Sequence, residues 1–133
     1  MDKTKVSIMK TVSNENLNEP GCKSQNGRIL QYLRDGETIT SLESLMLFRC
    51  MRCASRIDNL RNDMRHPITD VTIQVKSKDP ETGEEVTKYI SAYYIAEAFA
   101  KKRGIEEDKH LEDQVRLYAT AKAQRAYREY YGE

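Results

Sequence analysis

Two arginines and an asparagine recur at the spacing of one helix face. Arg52, Arg56 and Asn59 follow an i, i+4, i+7 pattern, which places their side chains on one ridge of an α-helix. Arginine can donate two hydrogen bonds to the edge of guanine, and asparagine can pair in the same way with adenine. The types and spacing therefore suit a ridge that reads bases in the major groove. A solvated helix face without a ligand is the plainer alternative.

The surroundings of this ridge offer contacts for a DNA backbone. Residues 49–65 hold five arginines against two aspartates, a regional charge of +3. The whole chain carries only +1, so attraction to phosphates has to act regionally. Hydroxyls at helix starts and lysines on a strand suit phosphate contact, which orients a protein without reading sequence. The residues expected to hold phosphates are Ser41, Arg49, Lys76 and Lys78, and Ser55 lies on the exposed side with the ridge.

Two short helices must position the ridge. The run Thr40-Ser41-Leu42-Glu43 has the residue types of a capping box, which predicts a helix over 41–48. A second helix is predicted over 51–64, and His66-Pro67 ends it because proline disfavours helical geometry in the preceding residue. The small Ala54 would let the two helices cross closely. The apolar stripe of the second helix is expected to hold Cys50, Cys53, Ala54, Ile57, Leu60 and Met64.

A helix precedes this pair and a hairpin follows it. The helix is predicted over about 25–35 from its apolar face and an Asp-Gly stop. Apolar and polar residues alternate over 71–76, which predicts a half-buried strand. Residues 79–83 supply turn chemistry, and 86–94 are rich in Val, Ile and Tyr, which indicates the returning strand.

This order predicts a mainly α fold with a β-hairpin, namely a winged helix-turn-helix of three helices and a two-stranded wing. Residues 25–95 would form that domain. Residues 1–24, rich in Asn, Ser, Lys and Glu, are expected to be a flexible N-terminal arm. Residues 96–133 would form an additional C-terminal helical extension.

The C-terminal extension is predicted to hold a short helix over 95–105, closed by Gly104, and a long helix over 106–131. Acids at the start of the long helix suit the helix dipole. Its apolar stripe is thin and rich in Tyr and Ala, and Lys122 interrupts it. Two roles stay open for this helix, packing back on the domain or contacting a partner protein or a second copy.

Composition argues against the membrane and secreted classes. The chain has 133 residues, of which 38% are hydrophobic and 32% charged, with a mean hydropathy of -0.77. These values suit one small domain with a polar surface. No signal peptide or sufficiently long apolar run is evident, so we expect a bacterial cytoplasmic protein with reduced thiols.

Neither a metal site nor an enzyme is expected. Cys50 and Cys53 form a Cys-x-x-Cys pair, but the remaining candidate ligands, Cys22, His66 and His110, lie at spacings unrelated to zinc sites. Both cysteines of the pair fall on the apolar stripe, where a thiol behaves as a small buried hydrophobe. With two histidines, no Gly-rich phosphate loop and no nucleophile motif, no catalytic residue and no cofactor is predicted.

Three runs of the sequence resemble a known family. The segments Arg28–Leu33, Ile39–Glu43 and Ala54–Arg61 are similar to a small helix-turn-helix family that is common in phages and other mobile elements of bacteria. The resemblance covers roughly 26–95. It implies a winged-helix fold, a cytoplasmic setting and binding to double-stranded DNA, with Arg52–Asn59 on the recognition helix.

The chain departs from this family at two turns. The family often has glycine between the paired helices and again before the first strand. This sequence has Arg49-Cys50 at the first place and Met64-Arg65-His66 at the second. The departures predict turns of a different shape.

Hypotheses from different classes remain open. The first is a small DNA-binding protein of a phage or mobile element, either a transcriptional regulator or an architectural factor. The second is a protein-binding inhibitor on the same scaffold, for example an anti-CRISPR protein, and a structural homodimer through the last helix is the third. The arginine ridge favours DNA. The acidic hairpin tip at Glu81, Glu84 and Glu85 and the Tyr-rich last helix favour a protein partner.

Overall fold

Five helices and one hairpin make up the described part of the chain. The computed structural model describes residues 22–132, with side chains from Gln25 onward. In chain order the elements are α1 (Cys22–Arg34), α2 (Ser41–Phe48), α3 (Cys53–Asp58) with a following π turn (Asn59–Asp63), β1 (Ile68–Lys78), β2 (Glu85–Ile95), α4 (Ala96–Arg103) and α5 (Leu111–Tyr131). The predicted order of elements is therefore confirmed.

Helix α1 begins three residues earlier than predicted, at Cys22. The predicted arm over 1–24 thus lies outside the described residues except for its last three positions, which open α1. Ile29 and Leu33 of α1 are fully buried, as the apolar face of the sequence indicates. The division of the chain at residues 24 and 95 stays a prediction.

The capping box at the start of α2 is present with both of its hydrogen bonds. The Thr40 backbone N–H donates to Glu43 Oε1 at 3.0 Å, and the Glu43 N–H donates to Thr40 Oγ1 at 3.4 Å. These bonds satisfy backbone groups that have no partner inside the helix. The predicted bounds of α2 are confirmed.

The two strands pair antiparallel over their full lengths. Their register runs from Ile68 opposite Ile95 to Lys78 opposite Glu85, so both strands are longer than predicted. One further residue joins them, because Ile39 exchanges backbone hydrogen bonds of 3.0 and 2.8 Å with Tyr93 on β2. A single paired residue carries no alternating pattern, so this bridge could not be predicted from the sequence.

Two groups of buried apolar side chains hold the elements together. One group lies around the helices α1 and α3 and the base of the hairpin. Its members are Ile29, Leu33, Ile39, Cys50, Cys53, Ile57, Leu60, Ile68 and Ile95. The other group lies between the hairpin, α4 and α5. Its members are Val71, Ile73, Val75, Ala92, Tyr94, Phe99, Ala100, Leu111, Val115, Ala119, Ala123 and Tyr127.

Helix α5 packs on the hairpin, which confirms one of the two roles left open. It begins at Leu111 rather than at 106, because the Asp108 carboxylate accepts the His110 N–H at 2.8 Å and holds a turn there. Along β1, the Gln124 side chain donates to the carbonyl of Lys76 and accepts its N–H, both at 2.8 Å. At Lys76, the backbone groups on the edge of β1 are thereby bonded to α5.

A partly buried ammonium group connects α5 to the start of α2. Lys122 Nζ donates to the Thr38 carbonyl and lies 3.5 Å from Glu37 Oε1 and 3.8 Å from Glu43 Oε1. The Tyr118 hydroxyl donates to the same Glu37 oxygen at 2.7 Å. We call these side chains, Glu37, Glu43, Tyr118 and Lys122, the lysine network.

The two carboxylates of this network differ in their protonation behaviour. Burial raises the pKa of Glu43, and the nearby charge of Lys122 offsets this only in part. Burial acts in the same direction on Glu37. There the hydrogen bond from Tyr118 and the charges of Lys122 and Lys102 outweigh it, so the pKa of Glu37 is lowered. Burial also lowers the pKa of Lys122.

The same substitution at two glycines is expected to have opposite effects. Gly36 has φ +86°, and a Cβ there would lie 2.8 Å from Lys102 Cβ and 2.9 Å from the Ala98 carbonyl oxygen. Gly36→Ala should therefore lower the free energy of unfolding by about 2 kcal/mol or more. Gly27 lies within α1, and a Cβ there would meet no atom within 4 Å apart from its chain neighbours and the backbone of its own helix. Gly27→Ala should therefore raise the free energy of unfolding by about 0.5–1 kcal/mol. Urea denaturation measures both, and shifts of the same sign would contradict the backbone geometry.

Removing the Glu37 charge should lower the free energy of unfolding at neutral pH but not in acid. A carboxylate with a lowered folded pKa contributes stability above its ordinary pKa of 4.5 and loses it as pH falls through the folded value. Glu37→Gln should thus destabilise by about 1–2 kcal/mol near neutral pH, and the deficit should shrink by about pH 3. Denaturant unfolding at both pH values measures it. The exposed Glu106→Gln is the control, and a Glu37→Gln deficit independent of pH would count against the network.

Candidate nucleic-acid interface

The turn between α2 and α3 is built on an arginine in the left-handed conformation. Arg49 caps α2 with φ 57° and ψ 28°, and its N–H donates to the Leu45 carbonyl at 2.9 Å. Arg65, before β1, also has a positive φ, of 59°. Glycine adopts this conformation most easily. At both places where the resembling family often has glycine, this chain keeps a left-handed backbone with an arginine.

The second helix of the pair is shorter than predicted. Instead of one helix over 51–64, α3 spans Cys53–Asp58, and the π turn follows. Arg52 precedes the helix with φ -124° and ψ 53°, which is not helical. The wider π turn changes the phase of the stripe, so Leu60 is buried but Met64 is 49% exposed. Ala54 is exposed as well, so it does not lie at a helix crossing.

The predicted ridge is not a single exposed surface. Arg56 and Asn59 are half-buried and face α1. The Arg56 Nε donates to Gln25 Oε1 at 3.1 Å, and Asn26 Nδ2 donates to Asn59 Oδ1 at 3.2 Å. Asn59 Nδ2 in turn donates to an Asp63 carboxylate oxygen at 2.6 Å. Both polar atoms of the Asn59 amide are therefore engaged within the protein.

Four of the predicted residues lie exposed on the helix pair. Ser41 opens α2, Arg49 is in the turn, Arg52 lies at the N-terminal boundary of α3 and Ser55 lies on its first turn. Two helix starts and the intervening turn thus present hydroxyl and guanidinium groups to solvent. Backbone N–H groups at the start of a helix favour phosphate. The arrangement can hold an anionic backbone at two points.

The wing lysines lie far from this group. Lys76 and Lys78 are at the distal end of β1, about 30 Å along the strand from its start at Ile68. Lys76 Nζ lies 3.9 Å from Glu85 Oε1, and Lys78 is paired across the strands with the same residue. The structure therefore does not bring these lysines together with the helix pair, and a carboxylate partly offsets their charge.

The cysteine pair is part of the core. Cys50 and Cys53 are buried free thiols, and burial raises the pKa of Cys53 to about 11. Among residues 25–132, whose side chains the structure describes, no group of three or more His, Cys, Asp and Glu side chains is arranged to hold a metal ion. No helix in the described range combines the length and apolar character needed to span a membrane.

Comparison with known proteins adds one match. A family model described as a winged helix-turn-helix domain matches residues 24–92, which takes in α1 to most of β2. No curated protein and no solved structure matches the chain. The match confirms the predicted winged helix-turn-helix fold, and the structure shows the additional C-terminal helix.

Relieving the strained turn should raise stability. Arg49→Gly removes a side chain that disfavours the left-handed conformation and should stabilise the protein by about 0.5–1 kcal/mol. Arg52→Gly removes a cation from the same turn, but Arg52 has a negative φ. This substitution should therefore not raise the stability. Urea denaturation of the two variants side by side measures the difference. A less stable Arg49→Gly would show that the side chain, and not the backbone conformation, determines stability there.

Proposed function

Since the chain belongs to the winged helix-turn-helix family, we propose that it binds double-stranded DNA through α3 and the turn that precedes it. The observation that carries this proposal is the exposed group of Arg49, Arg52 and Ser55 within a stretch of net charge +3. In such domains, the first residues of the second helix of the pair contact base edges. Arg52 and Ser55 occupy that place here.

The roles of the individual residues follow from their surroundings. Arg52 reads a base edge, because its guanidinium is exposed at the N-terminal boundary of α3. Arg49 and the N-terminus of α2 at Ser41 hold phosphates and fix the orientation of the protein. Arg56 and Asn59 position α3 against α1, because their hydrogen bonds to Gln25 and Asn26 would have to break before they could reach bases.

The proposal also covers the biological role of the protein and its place in the cell. We propose a transcriptional regulator or architectural factor of a phage or other mobile element, acting in the bacterial cytoplasm where its DNA lies. The resemblance of the three sequence runs supports this setting. The wing lysines, Lys76 and Lys78, would contact backbone only at a neighbouring point of the duplex.

A protein-binding inhibitor, for example an anti-CRISPR protein, is the second candidate, and one observation favours it. Met51 is 84% exposed in the turn beside Arg52, and exposed apolar side chains there suit a protein partner. The carboxylates at the wing tip, Glu81 and Glu84, would also be repelled by DNA. A homodimer through α5 would use Tyr130 and Tyr131, which are about half exposed.

The experiment is fluorescence anisotropy of labelled duplex DNA from a random pool, at about 50–300 mM salt. The full chain should bind with an affinity that falls steeply as salt rises. Arg49→Ala/Arg52→Ala should weaken binding at least about tenfold and reduce the salt slope by up to about two units. As the control, Lys101→Ala/Lys109→Ala removes two exposed cations elsewhere on the molecule. This double variant should change the affinity for DNA only slightly.

Two outcomes would contradict the proposal. Equal losses in the two double variants would show that binding is general electrostatic attraction and not a property of the helix pair. No binding by the full chain at the lowest salt would overturn DNA binding and leave the protein-binding candidate. Circular dichroism of each variant must show an intact fold before its affinity is interpreted.

A further inference from the structure

Side chains of α5 occupy the outer edge of β1 at two of three successive positions. In an antiparallel pair, the backbone groups of alternate residues point to the same side. At Lys76, both outward groups bond to the Gln124 amide at 2.8 Å. At Thr72, the carbonyl accepts a hydrogen bond of 3.2 Å from Arg116 Nε. Gln74 lies between them, and its outward N–H and carbonyl have no partner among the described residues.

The gap at Gln74 follows from the short side chain that α5 places opposite it. Arg116, Thr120 and Gln124 are four residues apart, a rise of about 6 Å that nearly matches two residues of a strand. The Thr120 hydroxyl donates to the Arg116 carbonyl in its own helix, at 2.6 Å. The gap therefore suits an extended backbone, which carries a donor and an acceptor side by side as the Gln124 amide does.

An open groove of about 880 Å³ surrounds this gap, and its walls are largely apolar. Leu117 and Ala121 of α5 line one side, and Tyr89 of β2 lines the other. The Tyr89 hydroxyl accepts a hydrogen bond of 3.4 Å from Gln74 Nε2, so its ring reaches across β1. Leu117 is 75% exposed and Tyr89 is 67% exposed. Two large apolar side chains thus face solvent in one groove, which is typical of a docking surface.

One end of the groove carries an excess of negative charge. Arg116 is the one cation among the described residues that line the groove, and it lies 3.0 Å from Glu112 and 3.5 Å from Asp113. Asp70 is also near, because burial and then the charges of Glu112 and Asp70 raise the pKa of the adjacent Tyr94. Three acids against one arginine favour an occupant with positive charge.

The sequence before α1 holds a segment with matching properties. Five of residues 4–12 are β-branched, and Val6 and Ile8 alternate with Lys5 and Ser7, as in a strand with one apolar face. Residues 1–12 contain three lysines and one aspartate, a net charge of +2. Thirteen residues separate Ile8 from Cys22, where α1 begins. Extended, they span up to about 45 Å, more than the roughly 35 Å width of a domain of this size.

We propose that the segment Lys5–Met9 binds in this groove of its own chain as a third strand beside β1. Its backbone pairs with Gln74, Val6 and Ile8 pack on Leu117, and its positive charge meets the acidic end. A third strand satisfies the open backbone groups and adds to the stability of a two-stranded hairpin. The groove is separate from the proposed DNA surface, because none of the residues assigned to DNA lines it.

The test is amide hydrogen exchange of the full chain, followed residue by residue with NMR. The Gln74 N–H should exchange at least about tenfold more slowly in the wild type than in Ile8→Ser, which removes an apolar contact of the segment. Leu17→Ser is the matched control, because it removes an aliphatic side chain outside the bound segment, and it should leave the exchange unchanged. The Lys76 N–H, which is bonded to Gln124, should exchange equally slowly in all three proteins.

Thr120→Gln tests the gap from the side of α5. A glutamine at this position can bond to Gln74 as Gln124 bonds to Lys76, because the two helix positions are about one turn apart. The Gln74 N–H should therefore stay slow in this variant. The slowest amide among residues 5–9 should exchange at least about tenfold faster than in the wild type, because the new side chain displaces the segment.

Three results would overturn the proposal. The first is a Gln74 N–H that exchanges at the same rate in the wild type and in Ile8→Ser. The second is an equal acceleration in Leu17→Ser, which would show that no particular segment is bound. The third is protection that rises with protein concentration together with a dimer in light scattering, which would show that the segment binds a second copy and not its own chain.

Discussion

The contact of Lys122 with two glutamates is the constraint on which the relative placement of the elements depends. Its ammonium group lies between Glu37 and Glu43, whose negative charges would otherwise face each other across a buried space. Thr38, which accepts its hydrogen bond, belongs to the segment that leads into α2. The position of α2 is thus set from α5, and the C-terminal extension is structurally part of the helix-turn-helix.

This constraint also affects how the domain can be divided. A boundary near residue 95 would separate Lys122 from Glu37 and Glu43 and leave two buried carboxylates without their cation. It would also expose the face of β1 that packs on Val115, Ala119 and Ala123. Sequence similarity covers α1 to β2, whereas the buried core continues through α5. The buried core therefore extends beyond the matched residues.

Much of the fold could be predicted because its signals are local. The capping box needs only four consecutive residues, and the hairpin needs two alternating runs and a turn between them. The π turn could not be predicted, since an α-helix and a π turn bury the same residues up to Leu60 and differ only at Met64. The pairing of Asn59 with Asn26 joins residues 33 positions apart, and no local pattern encodes it. Lys122 was visible as an interruption of the α5 stripe, but its partners lie far away in the chain.

The hydrogen bonds from Gln124 to β1 have a consequence for how this protein behaves at high concentration. A two-stranded hairpin offers outward-facing backbone groups to which a strand of another molecule can add, and this is a common start of aggregation. At Lys76, the Gln124 amide occupies both the donor and the acceptor that such a strand would use. One side chain on a helix thereby protects the distal part of this edge against growth into a larger sheet.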